Sequence, residues 1–232
     1  METLSVIFPV YKRWELVHNR LWELSGIAAP YNLEVILADD CSQDKQVDQG
    51  IKWWKKAGVF SNLKAIVNEE NLGFGGNLNN AVKQSEGTII ILHSTDVQIL
   101  GDYIGETMVL FEGKERVLVG GRYIDFNSGW NQFGERRFPY LEGWLLACRR
   151  STWDELGGFD DRYAPYDYED MELSTVALEK GIELVALNSK SLLHLGGGTI
   201  YSVIGVDKRR ETTERNKEKF RQKWMGEHAS SN

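Results

Sequence analysis

Polar residues that could do chemistry follow short apolar runs in this sequence. Runs at 4–9, 33–38 and 88–92 lead into Pro9-Val10-Tyr11, Asp39-Asp40-Cys41-Ser42 and His93-Ser94-Thr95-Asp96, and a run at 63–67 leads into Asn71-Leu72-Gly73-Phe74-Gly75-Gly76-Asn77. Ionised carboxylates only accept hydrogen bonds, so Asp39 and Asp40 suit a ribose hydroxyl or a nucleobase N–H. The glycines admit a nucleotide close to the backbone, although a tight turn accounts for them equally well. Asp96 suits a divalent cation held against a diphosphate. For one carboxylate alone, capping of the next turn is the ordinary role. Three such segments at successive strand ends favour a shared ligand.

These segments meet if the runs are parallel strands of one sheet. Between them, Trp14, Val17, Leu21 and Leu24 recur at helical spacing, as do Val47, Ile51 and Trp54, and a third helix is expected over 75–84. Strands alternating with helices imply right-handed crossovers, an open, mostly parallel α/β sheet, and ligand binding beyond the carboxyl ends of the strands. After Gly101 the pattern predicts a helix at 103–111, a strand at 117–123, a polar loop or hairpin at 124–139 and a strand at 141–148. Ser151 then caps a short helix, a longer helix covers 169–180, and strands follow at 182–187 and 191–195. With 232 residues, no repeat and no break in composition, one domain is expected.

Several function classes are excluded. The first strand is not followed by the glycine fingerprint of a dinucleotide-binding unit, and no Gly-Lys-Ser/Thr forms a phosphate loop. The net charge of −7 argues against general nucleic-acid binding. Cys41 and Cys148 are too few for a disulfide framework and read as free thiols of a reducing compartment. The N-terminus has no basic start or cleavage site, and no apolar run approaches the roughly 20 residues that span a bilayer. A cytoplasmic location is expected.

Read in order, the motifs carry a resemblance. Ser5-Val6-Ile7-Phe8-Pro9-Val10-Tyr11, Asp39-Asp40-Cys41-Ser42-Gln43-Asp44, the 71–77 glycine segment and Ser94-Thr95-Asp96-Val97 are joined by Gly157-Gly158-Phe159-Asp160, Tyr168-Glu169-Asp170-Met171-Glu172-Leu173 and His194-Leu195-Gly196-Gly197-Gly198. The set resembles family 2 glycosyltransferases of the GT-A fold, and within them the rhamnosyltransferase-like branch, over roughly residues 4–200. The resemblance implies a GT-A domain over 1–203, with a basic helix or tail at 204–232. It also implies inverting transfer of a sugar from a nucleotide-diphosphate donor, UDP or dTDP first and GDP left open, to a hydroxyl of a surface polysaccharide or lipid-linked glycan.

Site roles follow from the same resemblance. The donor would lie on Pro9, Tyr11, Asp39, Asp40, Asn71, Gly73, Gly76, Asn77, Thr95 and Asp96. The family's short acidic metal motif falls on Ser94-Thr95-Asp96, where Ser94 stands at the first acidic position and Asp96 supplies the carboxylate. His194 would be the further ligand, and a mixed imidazole and carboxylate set tilts the choice to Mn²⁺ over Mg²⁺. Asp170, with Glu169 beside it, would be the general base that inversion requires. The helix dipole favours ionised carboxylates there, and repulsion within the acidic crowd raises one pKa.

On the acceptor side the residues say less. Trp130 and Trp144 flank Arg136-Arg137, Glu142 precedes Gly143-Trp144, and aromatic faces suit sugar rings. Trp14, Trp22, Trp53 and Trp54 fall in crossover helices, where core packing suffices for most of them. The segment 208–223 carries +5 against −12 for the rest of the chain. It reads as a solvated helix, with attraction to an acidic acceptor or the anionic inner face of a membrane as the alternative. Two other functions remain open at this point: a non-catalytic sugar-nucleotide or glycan-binding module on the same fold, and a glycosyltransferase acting on nucleic acid.

Overall fold

The computed structural model describes residues 2–196 and 205–226. In its first part β1 (Thr3–Val10), α1 (Trp14–Ser25), β2 (Asn32–Asp39), α2 (Lys45–Ala57), β3 (Leu63–Val67), α3 (Gly73–Lys83) and β4 (Ile89–His93) alternate along the chain. There follow β5 (Val97–Ile99), α4 (Tyr103–Leu110), β6 (Val117–Gly120), β7 (Tyr123–Ile124), β8 (Gln132–Phe133), β9 (Arg136–Arg137), β10 (Tyr140–Leu141) and β11 (Leu145–Arg149). The described chain closes with α5 (Arg150–Leu156), a 3₁₀ turn (Asp161–Tyr163), α6 (Glu169–Glu179), β12 (Glu183–Ala186), β13 (Leu192–His194) and α7 (Val206–Met225).

Seven strands form the central sheet in the order β12-β6-β11-β4-β1-β2-β3. β1 lies parallel to β2 and β4, β2 is parallel to β3, and β11 is antiparallel to its neighbours β4 and β6. Side chains alternate across the pleat. Leu4, Val6, Phe8 and Val10 of β1 therefore join a core with Val17, Leu21, Val47, Ile51 and Trp54 of α1 and α2. Ile7 and Ile36 point the other way, onto Leu78, Ala81 and Val82 of α3 and Leu173 and Ala177 of α6. This three-layer arrangement brings the ends of β1, β2 and β4 to one edge.

Four expectations need correction. The strands expected at 117–123 and 141–148 are each broken, because the chain leaves the sheet at Gly121 and rejoins it at Leu145, while β7 and β10 pair as a separate ribbon. Between them Trp144 packs over Gly121, where a Cβ would lie 2.0 Å from the indole. Ser151 caps nothing: α5 starts at Arg150, and Ser151 is exposed within its first turn.

The 75–84 helix begins two residues earlier, at Gly73, so the glycine segment is the first turn of α3 rather than a loop. Leu72 N and Gly73 N donate to the Asp40 carboxylate, which satisfies that turn from 32 residues upstream. Gly73 has φ +76°, and a Cβ there would lie 2.6 Å from Pro165 Cα. Gly73→Ala combines a left-handed conformation with a backbone clash. We expect it to lower stability by about 2 kcal/mol or more, read as a fall in denaturant midpoint at unchanged m-value.

Finally, α7 is not a solvated helix. Phe220 and Asn216 are fully buried, Phe220 packs with Phe133, Phe138 and Tyr168, and Lys223 pairs with Glu172 and Asp160. No helix among the described residues is long and apolar enough to cross a membrane.

Candidate active site

The segment after β4 is held on every side. His93, the last residue of β4, is fully buried, and burial lowers its pKa to about 4, so the neutral ring donates from Nε2 to the Val97 carbonyl at 2.9 Å. Arg20 of α1 donates to the Thr95 carbonyl at 3.1 Å, and Glu23, paired with Arg20, accepts from Ile99 N at 2.8 Å. Thr95 is buried and Asp96 half-buried. Nothing in the sequence signals this contact of Arg20 and Glu23.

β13 pairs antiparallel with β5 in a register that sets His194 opposite Val97, and Leu195 N donates to the Asp96 carbonyl. His194 Nε2 thereby stands 3.6 Å from Asp96 Oδ2, although 98 positions separate them. Two donors that each lie about 2.0–2.2 Å from one cation are themselves about 3–3.6 Å apart. The imidazole and carboxylate pair therefore fits a divalent ion, with a diphosphate and water left to complete its shell. No group of three or more potential His, Cys, Asp or Glu ligands occurs among the described residues. Gly197 and Gly198 of the glycine run lie outside the described residues.

Trp144 links this pair to the acidic segment. Its indole stacks on His194, with centroids 5.1 Å apart and planes at 23°, and its carbonyl accepts from Ser94 N. Trp144 Nε1 donates to Glu142 at 2.9 Å, and Gly143 N donates to Asp170 Oδ2 at 2.8 Å. The turn 142–144 thus has His194 against one residue and Asp170 against the next. His194 and Gly121 both pack on the Trp144 indole. Trp130 lies on the separate 124–139 excursion, half-exposed, with Lys217 over its ring.

Electrostatics separate the two carboxylates at the start of α6. Glu169 is 8% exposed and its Oε2 finds no partner among the described residues. Burial, reinforced by the Asp170 and Asp167 charges, holds its pKa well above the carboxylate range. Burial also lifts Asp170, but the Gly143 and Met171 amides hold it at about 6. Asp170 is the member of the pair that ionises near neutrality. The backbone leading into it is strained, with Asp167 and Tyr168 both left-handed at φ +68° and +80°. α7 holds that conformation in place: Thr213 and Arg209 bind the Asp167 side chain, and Asn216 Nδ2 donates to the carbonyls of Tyr163 and Tyr166. Asn216 sits in a polar tail segment that sequence reading passes over.

On the β1–β2 side, Asp39 and Asp40 are both buried, and burial raises both pKa values. Asp40 is committed to the chain, accepting from Leu72 N, Gly73 N and Asn68 Nδ2. Asn77 likewise donates to the Ala38 carbonyl and Asn71 to that of Asp40. Asp39 Oδ1 takes both the amide and the hydroxyl of Ser42, which in turn accepts from Lys12 N. Its Oδ2 takes no bond from the described residues, so Asp39 retains acceptor capacity where Asp40 has little. Pro9 and Tyr11 are half-buried beside it, Gly73 is packed on Pro165, and Gly76 packs near Leu72. Lys12, Arg13, Cys41 and Gln43 are all left-handed here, a concentration typical of functional edges.

Comparison with known proteins bears on the family and the fold. The profile of Glycosyl transferase family 2 matches residues 5–172. The uncharacterized glycosyltransferase YfnE of Bacillus subtilis is 28% identical over 120 residues, which are 51% of this chain and 29% of that protein. Among solved structures, the mannosyltransferase PcManGT of Pyrobaculum calidifontis, in complex with GDP-Man and Mn²⁺, superposes with a TM-score of 0.65 at 20% identity over 79% of this chain and 54% of that one. TarS 1–349 of S. aureus with UDP-GlcNAc gives 0.61 at 20% identity over 82% and 57%. The chain thus spans under a third of the curated relative and just over half of these two solved chains. The structural likeness is one of fold, a single-domain GT-A architecture.

Proposed function

The chain belongs to glycosyl transferase family 2, and we propose that it moves a sugar from a nucleotide-diphosphate donor to a hydroxyl of a glycan or glycolipid acceptor with inversion at the anomeric carbon. The observation that carries this reading is the 142–144 turn, with the His194–Asp96 pair stacked against Trp144 and Asp170 bound to Gly143. Asp170 accepts the acceptor's proton from the face opposite the leaving group. Glu169, whose pKa burial raises, leaves that role to its neighbour. Asp39 Oδ2 accepts from the donor's nucleoside, with Pro9, Tyr11, Asn71, Gly73, Gly76, Asn77 and Thr95 forming the surrounding wall and Asp40 holding α3 in register. Asp96 and His194 hold the divalent cation, Mn²⁺ before Mg²⁺ for this donor set. When bound, that cation neutralises charge developing on the departing diphosphate. Trp144, Glu142 and Trp130 are assigned to the acceptor side.

A panel of UDP-, dTDP- and GDP-sugars with Mn²⁺, scored for release of the nucleoside diphosphate with and without oligosaccharide acceptors, tests the reading. Release that depends on both acceptor and metal is expected with at least one donor, and the anomeric configuration of the product is read by NMR. Tight nucleotide binding without turnover across the panel would instead establish a non-catalytic binding module.

A further inference from the structure

A second chemically distinctive surface lies away from this site, on α1 and α2. Trp14, Trp22, Trp53 and Trp54 gather around His18, with ring centroids 5.1 Å apart for Trp22–Trp54, 5.3 Å for Trp53–Trp54 and 6.3 Å for Trp22–Trp53. Core packing was expected for most of them, and Trp54, at 1% exposed, obeys. Trp22 and Trp53 do not: each is 49% exposed, and they stand side by side on the outer seam between the two helices. Two half-bare indoles in contact make a contiguous apolar patch on the surface.

The hydrogen bonding beneath the patch holds the two indoles unequally. Trp54 Nε1 lies 3.1 Å from His18 Nδ1, and Trp22 Nε1 lies 3.0 Å from His18 Nε2. A neutral imidazole has one acceptor nitrogen. The N–H of Trp54 is cut off from water and must be paired, so Nδ1 accepts from it and Nε2 carries the ring hydrogen. The Trp22 N–H, directed at the other ring nitrogen, is then the weaker-held of the two.

Charge distinguishes the possible occupants. α2 carries Lys45, Lys52, Lys55 and Lys56 against Asp48, and none of the four lysines has a carboxylate partner among the described residues. Lys56, at i+3 from Trp53, is its neighbour on the helix surface, and Lys52, at i−4 from Lys56, continues the same basic row. In the basic tail, by contrast, Arg209, Arg221 and Lys223 are paired with Asp167, Glu218 and Glu172, and Arg215 and Lys219 are turned onto the carbonyls of Ala164 and Arg162. Both α2 and the tail keep cations without a carboxylate partner among the described residues, and those of α2 include neighbours of the exposed Trp53. A second copy docked across a two-fold axis would bring these lysines against their own equivalents, so self-association is disfavoured.

We infer that the α1–α2 seam is a membrane-contact face, in which Trp22 and Trp53 seat at the headgroup level of an anionic bilayer and Lys52 and Lys56 lie on its phosphates. Indoles favour that depth because the ring is apolar and the N–H is polar. Each lysine near an anionic surface strengthens binding about fivefold. The inference does not depend on the chemistry proposed for the catalytic edge, and its test needs no donor.

Sedimentation of the full chain with vesicles of phosphatidylglycerol in phosphatidylcholine, against phosphatidylcholine alone, tests it. Binding to the anionic vesicles is expected, with a blue shift of tryptophan emission. Trp22→Ala combined with Trp53→Ala should weaken binding about tenfold or more, and Lys52→Gln combined with Lys56→Gln about 25-fold. Both pairs replace exposed side chains, and an unchanged melting temperature shows that they fold. Failure of the parent to bind overturns the inference, as does binding that survives both double variants or falls only when Lys208 and Arg210 of the tail are replaced. A concentration-dependent dimer abolished by the tryptophan pair would assign the face to a second copy and overturn it as well.

Discussion

Asp170→Asn is expected to lower sugar transfer by about 10²–10⁴-fold, the usual contribution of a positioned general base, while Mn²⁺-dependent nucleotide binding stays within about twofold of the parent. Asparagine keeps the shape of the side chain and an oxygen for the Gly143 or Met171 amide, but it cannot take a proton. The pH dependence gives a second signature. With Asp170 at about 6, the parent's rate should rise through that value as the carboxylate ionises and then level, whereas the residual rate of the variant should show no such limb. A variant as fast as the parent would remove Asp170 from the mechanism.

Stability should change in the opposite sense to activity. Burial raises the folded-state pKa of Asp170 above the usual 3.8, so the folded protein holds this proton more tightly than the unfolded chain does. The linked stability is fully present below about pH 4, is lost as pH rises through about 6, and stays lost above that. Asp170→Asn has no such ionisation. Its melting temperature should therefore fall less than the parent's between about pH 4 and pH 8, a difference that a purely structural lesion would not produce.

Asp96→Asn and His194→Gln are each expected to weaken Mn²⁺-dependent nucleotide binding by about a hundredfold or more. Removing a hydrogen-bond partner from behind a ligand already costs about 10–100-fold, and loss of a ligand from a two-residue site costs at least as much. Isothermal calorimetry with Mn²⁺ and UDP or GDP reads this without turnover. Because His194 stacks on Trp144, metal binding should also perturb tryptophan fluorescence in the parent and not in His194→Gln. Unaltered Mn²⁺ dependence in Asp96→Asn would sink the assignment.

Some elements were legible for simple reasons. Val47, Ile51 and Trp54 recur at helical spacing and are the buried residues of α2, and the wholly apolar run before His93 is a strand buried on both faces. The elements that sequence reading misjudged were set by distant partners. Gly73 starts a helix because Asp40 satisfies its amide. The strand expected at 141–148 breaks because the chain turns at Gly143, where Asp170 and Trp144 converge. The tail is packed because Asn216 and Phe220 find buried partners in the 160–168 segment and the 124–139 excursion.

Local pattern therefore determined the alternating α/β order, the edge on which polar groups collect and the family, because hydrophobic periodicity and short ordered motifs are properties of neighbouring residues. Tertiary structure decided how those polar groups divide their work. The β5–β13 register brought Asp96 to His194, the Gly143 and Met171 amides separated Asp170 from the buried Glu169, and the chain's own amides took Asp40 while leaving Asp39 an open oxygen. Such outcomes depend on desolvation and on contacts between residues as many as 98 positions apart, and neither is encoded in the spacing of neighbours along the chain.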